Sequence, residues 1–346
     1  MKSPLFIFFI FFLIESSTLF CQKFSMKGQF WINTEFRNND NYQIGYIPTL
    51  ATYYKFSQNN IIDLEWAYHF SRTYNSNSLK FQNERTYRGW VRYIYKSIEF
   101  RLGLQKIVFG PAQILRPLAW FDNIDIKNPT GHTRGVEAFR IKYFSSNDLS
   151  IWAWIIKEES NNMTYGGRSE LSTSLGEWGL TIHRDTSIES KLVSQFSIPI
   201  SGSHSRLGLD YRYDGLLGFW FEGSNYYIEK QNNYNNDNYS LMTIGLDYTI
   251  PVGTGLHVLM ENYRSTGWLN SSNTNNYQNI LAIMANLSIG MFHQIMVISN
   301  FDWDDKNIYN YLQWGSIYDR FSINCMASIN PSEIGNSLQL MFIYNH

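Results

Sequence analysis

Apolar and polar residues alternate with period two along most of this chain. Ile62, Leu64, Trp66, Tyr68 and Phe70 share one parity, and Asp63, Glu65, Ala67, His69 and Ser71 share the other. Successive side chains of a strand point to opposite faces, so such a segment has one apolar and one polar face. The pattern recurs at Phe30–Phe36, where only Trp31 spoils the polar side, and at Ile98–Leu104, Leu207–Tyr213 and Met242–Tyr248. No segment of comparable length has a helical period. The alternating runs are ~9–12 residues long, enough to cross a bilayer at a tilt, whereas ordinary strands are ~5–6. Apolar residues outward against lipid and polar ones inward define a transmembrane antiparallel barrel. A soluble propeller normally shows a repeat per blade, and none is present.

Eighteen strands fit the chain, near 27–37, 43–56, 61–70, 86–95, 98–106, 135–144, 149–156, 164–172, 177–183, 204–213, 216–224, 239–249, 255–264, 278–288, 291–300, 308–317, 320–329 and 337–345. Segment 190–198 also has strand character; placing it in a loop restores an even count, and sixteen is the alternative. Connections then alternate between short turns, such as Lys96-Ser97 and Asp214-Gly215, and longer loops at 71–85, 107–134, 184–203, 225–238 and 265–277. That asymmetry is characteristic of outer-membrane barrels.

Composition agrees. Aromatic residues make up 17% and charged residues only 16%, and mean hydropathy is −0.29. No bundle of apolar membrane helices fits these values. The formal charge of −1 carries no nucleic-acid footprint. Lys2, the apolar run Leu5–Ile14 and Ser16–Thr18 read as a signal peptide, residues 1–21, cleaved near Cys21; the bulky Phe20 argues against lipidation of that cysteine. Residues 22–346 then form one barrel domain, which begins its first strand within a few residues and so has no separate plug domain. Cys325 is a lone thiol.

The chain resembles bacterial outer-membrane β-barrel proteins of the porin and substrate-specific channel group. Its C-terminal alternation Leu340, Phe342, Tyr344 is similar to the terminal strand of such barrels, although His346 replaces the usual terminal aromatic. Gly103-Leu104-Gln105 followed by Gly110 is similar to strand endings in alginate-export-like and phosphate-selective-like channels. The resemblance implies insertion in the outer membrane of a Gram-negative-type bacterium, contact with its lipid and passage of small polar or anionic solutes. It implies no cofactor, metal or nucleic-acid partner, and it leaves homo-oligomerisation open.

Candidate chemistry lies on the inward parity and in one loop. Residues 107–134 carry Pro111, Pro117 and Pro129 and the apolar cluster Ile114, Leu115, Leu118, Trp120 and Phe121. A solvated loop has no use for such a cluster, so this loop is expected to fold into the lumen, with Arg116, Asp122, Asp125 and Lys127 lining a constriction. Arg88, Arg92, Arg101, Arg140 and Lys142 are expected to form a basic lumen wall. Glu35, Asp63 and Glu65 are expected to form an acidic arc beside it. Salt-bridged residues that merely stiffen the wall are the plainer alternative. A closed barrel with a structural or receptor role is the second functional reading. An outer-membrane hydrolase is the third and weakest: His257 and Glu261 share a strand face but lie ~13 Å apart along it, and no hydrolase, metal or phosphate-loop motif is present.

Overall fold

The computed structural model describes residues 23–37, 40–75, 78–145, 148–158, 160–187, 190–193, 195–196, 198–229, 237–269 and 274–346; the signal segment 1–21 lies outside them. The strands are β1 (Lys23–Phe36), β2 (Asn41–Ser57), β3 (Asn60–Asn75), β4 (Ser78–Tyr95), β5 (Ile98–Gln105), β6 (Val136–Phe144), β7 (Leu149–Lys157), β8 (Met163–Thr173), β9 (Gly176–Asp185) and β10 (Ser190–Val193). They continue as β11 (Ile198–Ser201), β12 (His204–Asp214), β13 (Gly218–Ile228), β14 (Asp237–Ile250), β15 (Leu256–Leu269), β16 (Thr274–Ile289), β17 (His293–Asp302), β18 (Asn307–Ile317), β19 (Phe321–Ile329) and β20 (Ser337–Asn345). Eighteen of these form one antiparallel sheet in chain order, and β1 pairs with β20 to close it. The short pair β10–β11 stands apart as a hairpin within the β9–β12 connection. The eighteen-strand count therefore holds, and segment 190–198 belongs to no barrel strand.

The parity rule assigns the faces. On β3, Ala67, His69 and Ser71 are buried inside, while Leu64 and Phe70 face out. On β14, Leu241 and Thr243 point inward, whereas Met242, Ile244, Leu246 and Tyr248 point outward. Large apolar side chains that stay accessible on the outer surface of the barrel are those a bilayer covers. The seam is tied by reciprocal backbone bonds between Gly28 and His346 and by a 2.9 Å bond between the Tyr46 hydroxyl and His346. His346 thus has a defined place in the closure.

Three of the expected long loops are strand instead. β3 and β4 pair through 71–85, and β13–β14 and β15–β16 extend likewise over most of 225–238 and 265–277. Beyond the hydrocarbon both strand faces become polar, so the alternation fades while the backbone ladder continues. Apolar periodicity locates the membrane-facing part of a strand, not its end.

Aromatic rings on the inner face sit over glycines in the facing strand. Trp31 lies against Gly45, Trp154 against Gly166 and Trp220 against Gly245, each pair in direct register. Trp31, the exception in the polar parity of β1, is an inward residue almost wholly buried beneath the 107–134 loop.

Candidate functional site

Loop 107–134 leaves β5, crosses the lumen and returns to β6. Its apolar cluster meets the far wall, where Trp220, Leu241, Leu259 and Tyr263 point inward and are buried. Complete burial of a side chain such as Leu118 stabilises the docked loop by about 1.5–3 kcal/mol. The polar part of the docking rests on two glutamates, Glu222 of β13 and Glu261 of β15, both fully buried.

Glu222 accepts N–H bonds from Ala112 at 3.0 Å and Leu118 at 2.5 Å, one on each carboxylate oxygen. Glu261 accepts from Gln113 at 2.7 Å, Ile114 at 3.0 Å and Leu115 at 2.7 Å, and from the Trp220 indole at 3.2 Å. The two carboxylates thus satisfy five loop amides that would otherwise be buried without acceptors. Gly110, at φ +77°, brings the backbone close to Glu222; a Cβ there would overlap the carboxylate. Thr243 donates to the Leu115 carbonyl at 2.8 Å, and the Trp120 indole donates to Ser224 at 3.0 Å.

A second inward segment braces the first. Gln195 donates to the Ile114 carbonyl at 2.7 Å and accepts the Arg116 N–H at 3.2 Å. Its neighbour Phe196 stacks on Tyr263 with ring centroids 3.9 Å apart.

The expected constriction residues divide into two pairs. Arg116 and Asp122 form a buried ion pair with each other inside the loop. Arg116 therefore holds the loop together and does not present its charge to the lumen. Asp125 and Lys127 are exposed and stand between two chambers, of about 1040 Å³ and 380 Å³, that remain beside the loop. The larger is lined by Arg85, Tyr87, Asp122, Arg134, Glu137 and Arg206, among others.

The basic wall is also an ion-pair ribbon. Arg92, Arg101 and Arg140 stand in one cross-strand row. Asp63 binds Arg92 at 2.5 Å, and Glu99 contacts Arg140 at 2.7 Å, Arg101 at 3.3 Å and Arg92 at 3.4 Å. The ribbon continues through Lys142, Glu170, Arg168 and Asp210, at 3.2, 2.9 and 2.6 Å. Arg101 and Arg140 also lie over the Trp90 and Trp152 rings. Arg88 has a different role: it donates to the backbone carbonyls of Tyr87 and Thr133 and so holds the loop's return stem.

Glu35, Asp63 and Glu65 do not form one arc. Asp63 and Glu65 lie towards the face that carries both termini. Glu35 lies at the level of Asn41 and Asn75, more than ~30 Å away along the strands. Parity fixes the face of a residue but not its height.

His132, in the return stem, sits among Trp31, His69 and Tyr87. Burial, then the neighbouring His69 and Arg88, lower its pKa from 6.5 to about 4. A folded-state pKa below the unfolded value means that stem docking is at full strength above pH 6.5 and weakens as the pH falls from 6.5 towards 4. Current recordings across that window should show growing noise as acid loosens the stem, and His132→Gln should abolish the dependence.

Glu222, Glu261, Thr243 and Gln195 are functional positions that the sequence reading missed. The available signal was the inward parity of β13–β15, which reads Trp220, Glu222, Ser224, Tyr226 and Leu259, Glu261, Tyr263. An apolar inner face marks a wall that meets protein rather than water.

No family model and no curated protein sequence matches this chain. Among solved structures it is similar to OccK5 (OpdH) of Pseudomonas aeruginosa, at TM-score 0.64 and 9% identity, covering 94% of this chain and 97% of that one. OccK2 (OpdF) of the same organism, in complex with glucuronate, aligns at TM-score 0.62 and 8% identity over 94% and 96%. The trimer form of OmpT, an outer membrane protein of Vibrio cholerae, aligns at TM-score 0.59 and 8% identity over 94% and 100%. Such identities speak for the fold, and that fold is the outer-membrane β-barrel of the porin type. The chain is an eighteen-stranded barrel of this class.

Proposed function

We propose that this barrel is an outer-membrane channel for passive diffusion of small polar or anionic solutes, selected by the 107–134 loop and by the charges of the lumen wall. The observation that carries the reading is the loop pinned across the lumen by Glu222 and Glu261 with polar chambers left beside it. Asp125 and Lys127 are the charged groups placed to act at the narrowing; the Arg116–Asp122 pair keeps the loop in shape. Arg92, Arg101, Arg140 and Lys142 supply a wall along which an anion exchanges one cation for the next, and wall charges set ion preference. Glucuronate bound to OccK2 is consistent with anion passage through this fold. The trimer of OmpT suggests that copies of this chain associate in the membrane.

Single-channel recording in a planar bilayer tests the proposal. Discrete steps are expected from the refolded protein, and deletion of residues 112–128 should enlarge them severalfold. An unchanged conductance after the deletion would remove the loop from the pathway. The absence of steps from folded protein would favour the second reading, a closed barrel with a structural or receptor role, which the dense packing around Leu118 supports.

A further inference from the structure

The loop segment 125–132 divides the lumen unequally, and the two chambers differ in chemistry. The larger one has cations and acids around it, including Arg85, Arg134, Lys157, Glu137 and Glu158. The smaller one, of about 380 Å³, lies between β1–β3 and β18–β20 and is lined by neutral hydrogen-bonding groups: Asn33, Gln43, His69, His132, Ser328 and Gln339. Asp125 and Lys127 touch it only at the dividing segment. Its volume lies within the ~300–1,000 Å³ range of small-molecule sites.

Three polar atoms around this chamber are buried without a protein partner: Asn33 Oδ1, His69 Nδ1 and His132 Nε2. His69 is 9% exposed. Buried polar groups are normally paired, and three exceptions around one cavity indicate that its occupant supplies the partners. Gln43 and Gln339 spend no side-chain amide bond on any described protein group, so they too are available. Amides, a hydroxyl and imidazoles both donate and accept. A charged ligand would find no counter-ion deep in such a chamber, and burying an unpaired charge is costly. A compact solute whose hydroxyls donate and accept in turn would satisfy all of these groups.

We infer that the smaller chamber is a binding site for an uncharged polyhydroxylated solute of monosaccharide size, separate from the charged chamber. The inference deepens the channel reading by assigning a second solute class to a second compartment, and its test does not depend on current. Saturation-transfer NMR on the detergent-refolded barrel, with glucose and glucuronate as probes, should show glucose in contact with the protein. Asn33→Leu, which keeps the shape but removes the amide, and Ser328→Trp, which fills the chamber, should each weaken glucose contact by about tenfold, the loss of one or two hydrogen bonds. A heat-dependent gel shift identifies folded variants. Excess glucuronate should leave the glucose signal in place. Absence of the glucose signal, its persistence in both folded variants, or its displacement by glucuronate would each overturn the inference. Failure of the channel reading would show instead as folded, glucose-binding protein without current steps.

Discussion

Replacing Glu222 and Glu261 together by glutamine should raise single-channel conductance severalfold and expose the 107–134 loop to protease. Both oxygens of each carboxylate accept N–H donors. A glutamine keeps one acceptor and turns an NH2 group toward N–H groups that need one. Each bond to a carboxylate of this kind contributes about 1.5–3 kcal/mol, and a buried donor left unpaired costs a similar amount. The apolar contacts of Leu118 and Trp120 remain, so the expected change is a shift from a pinned to a mobile loop rather than unfolding of the barrel, whose ladder does not involve either side chain. Single variants should separate the two anchors: Glu222 holds Ala112 and Leu118, Glu261 the turn 113–115. Unaltered conductance and unaltered proteolysis in the double variant would show that apolar packing alone positions the loop.

Changing Arg88, Arg92 and Arg140 together to glutamine should move the reversal potential toward cation selectivity. Among the described residues, the ribbon now combines the cations Arg92, Arg101, Arg140, Lys142 and Arg168 with the acids Asp63, Glu99, Glu170 and Asp210. The substitutions leave Asp63 without its arginine and Glu99 with Arg101 alone, so acids outnumber cations on this wall. The shift should be large in dilute salt and shrink as salt rises, because screening acts over ~10 Å at 0.1 M and ~3 Å at 1 M. A reversal potential that stays in place would place ion selection elsewhere, most directly at Asp125 and Lys127. Arg88 also supports the loop stem through Thr133, so an Arg92/Arg140 double variant isolates the contribution of charge.

The sequence was informative where a single rule governs a residue. Lipid on one side and polar lumen on the other fix the parity of Ile62–Phe70, and with it the strand count and the inward placement of Arg92, Arg101 and Arg140. The rings in 107–134 announced a loop that packs on something. The partner was hidden, because a contact such as Glu261 with Ile114 joins positions far apart in the chain, and alternation along one strand carries no information about strands across the lumen. The same limit hid the pairing of Arg116 with Asp122: two opposite charges six residues apart in an irregular loop read equally as lining or as a clasp. Trp31 violates the alternation and was informative for that reason. It is buried because the loop covers it, as are Leu259 and Tyr263 on the opposite wall.

The crossing of the lumen also bears on how such a barrel can be re-engineered. The loop and the strands that receive it are parts of one unit interrupted by roughly a hundred residues of sequence. A chimera given a new 107–134 segment alone would keep Trp220, Leu259 and Tyr263 facing water, with two buried acids holding nothing. A graft that carries β13–β15 along with the loop preserves the match. Variation in this part of the molecule should therefore travel in pairs, the insert and its socket changing together while the rest of the cylinder is left alone.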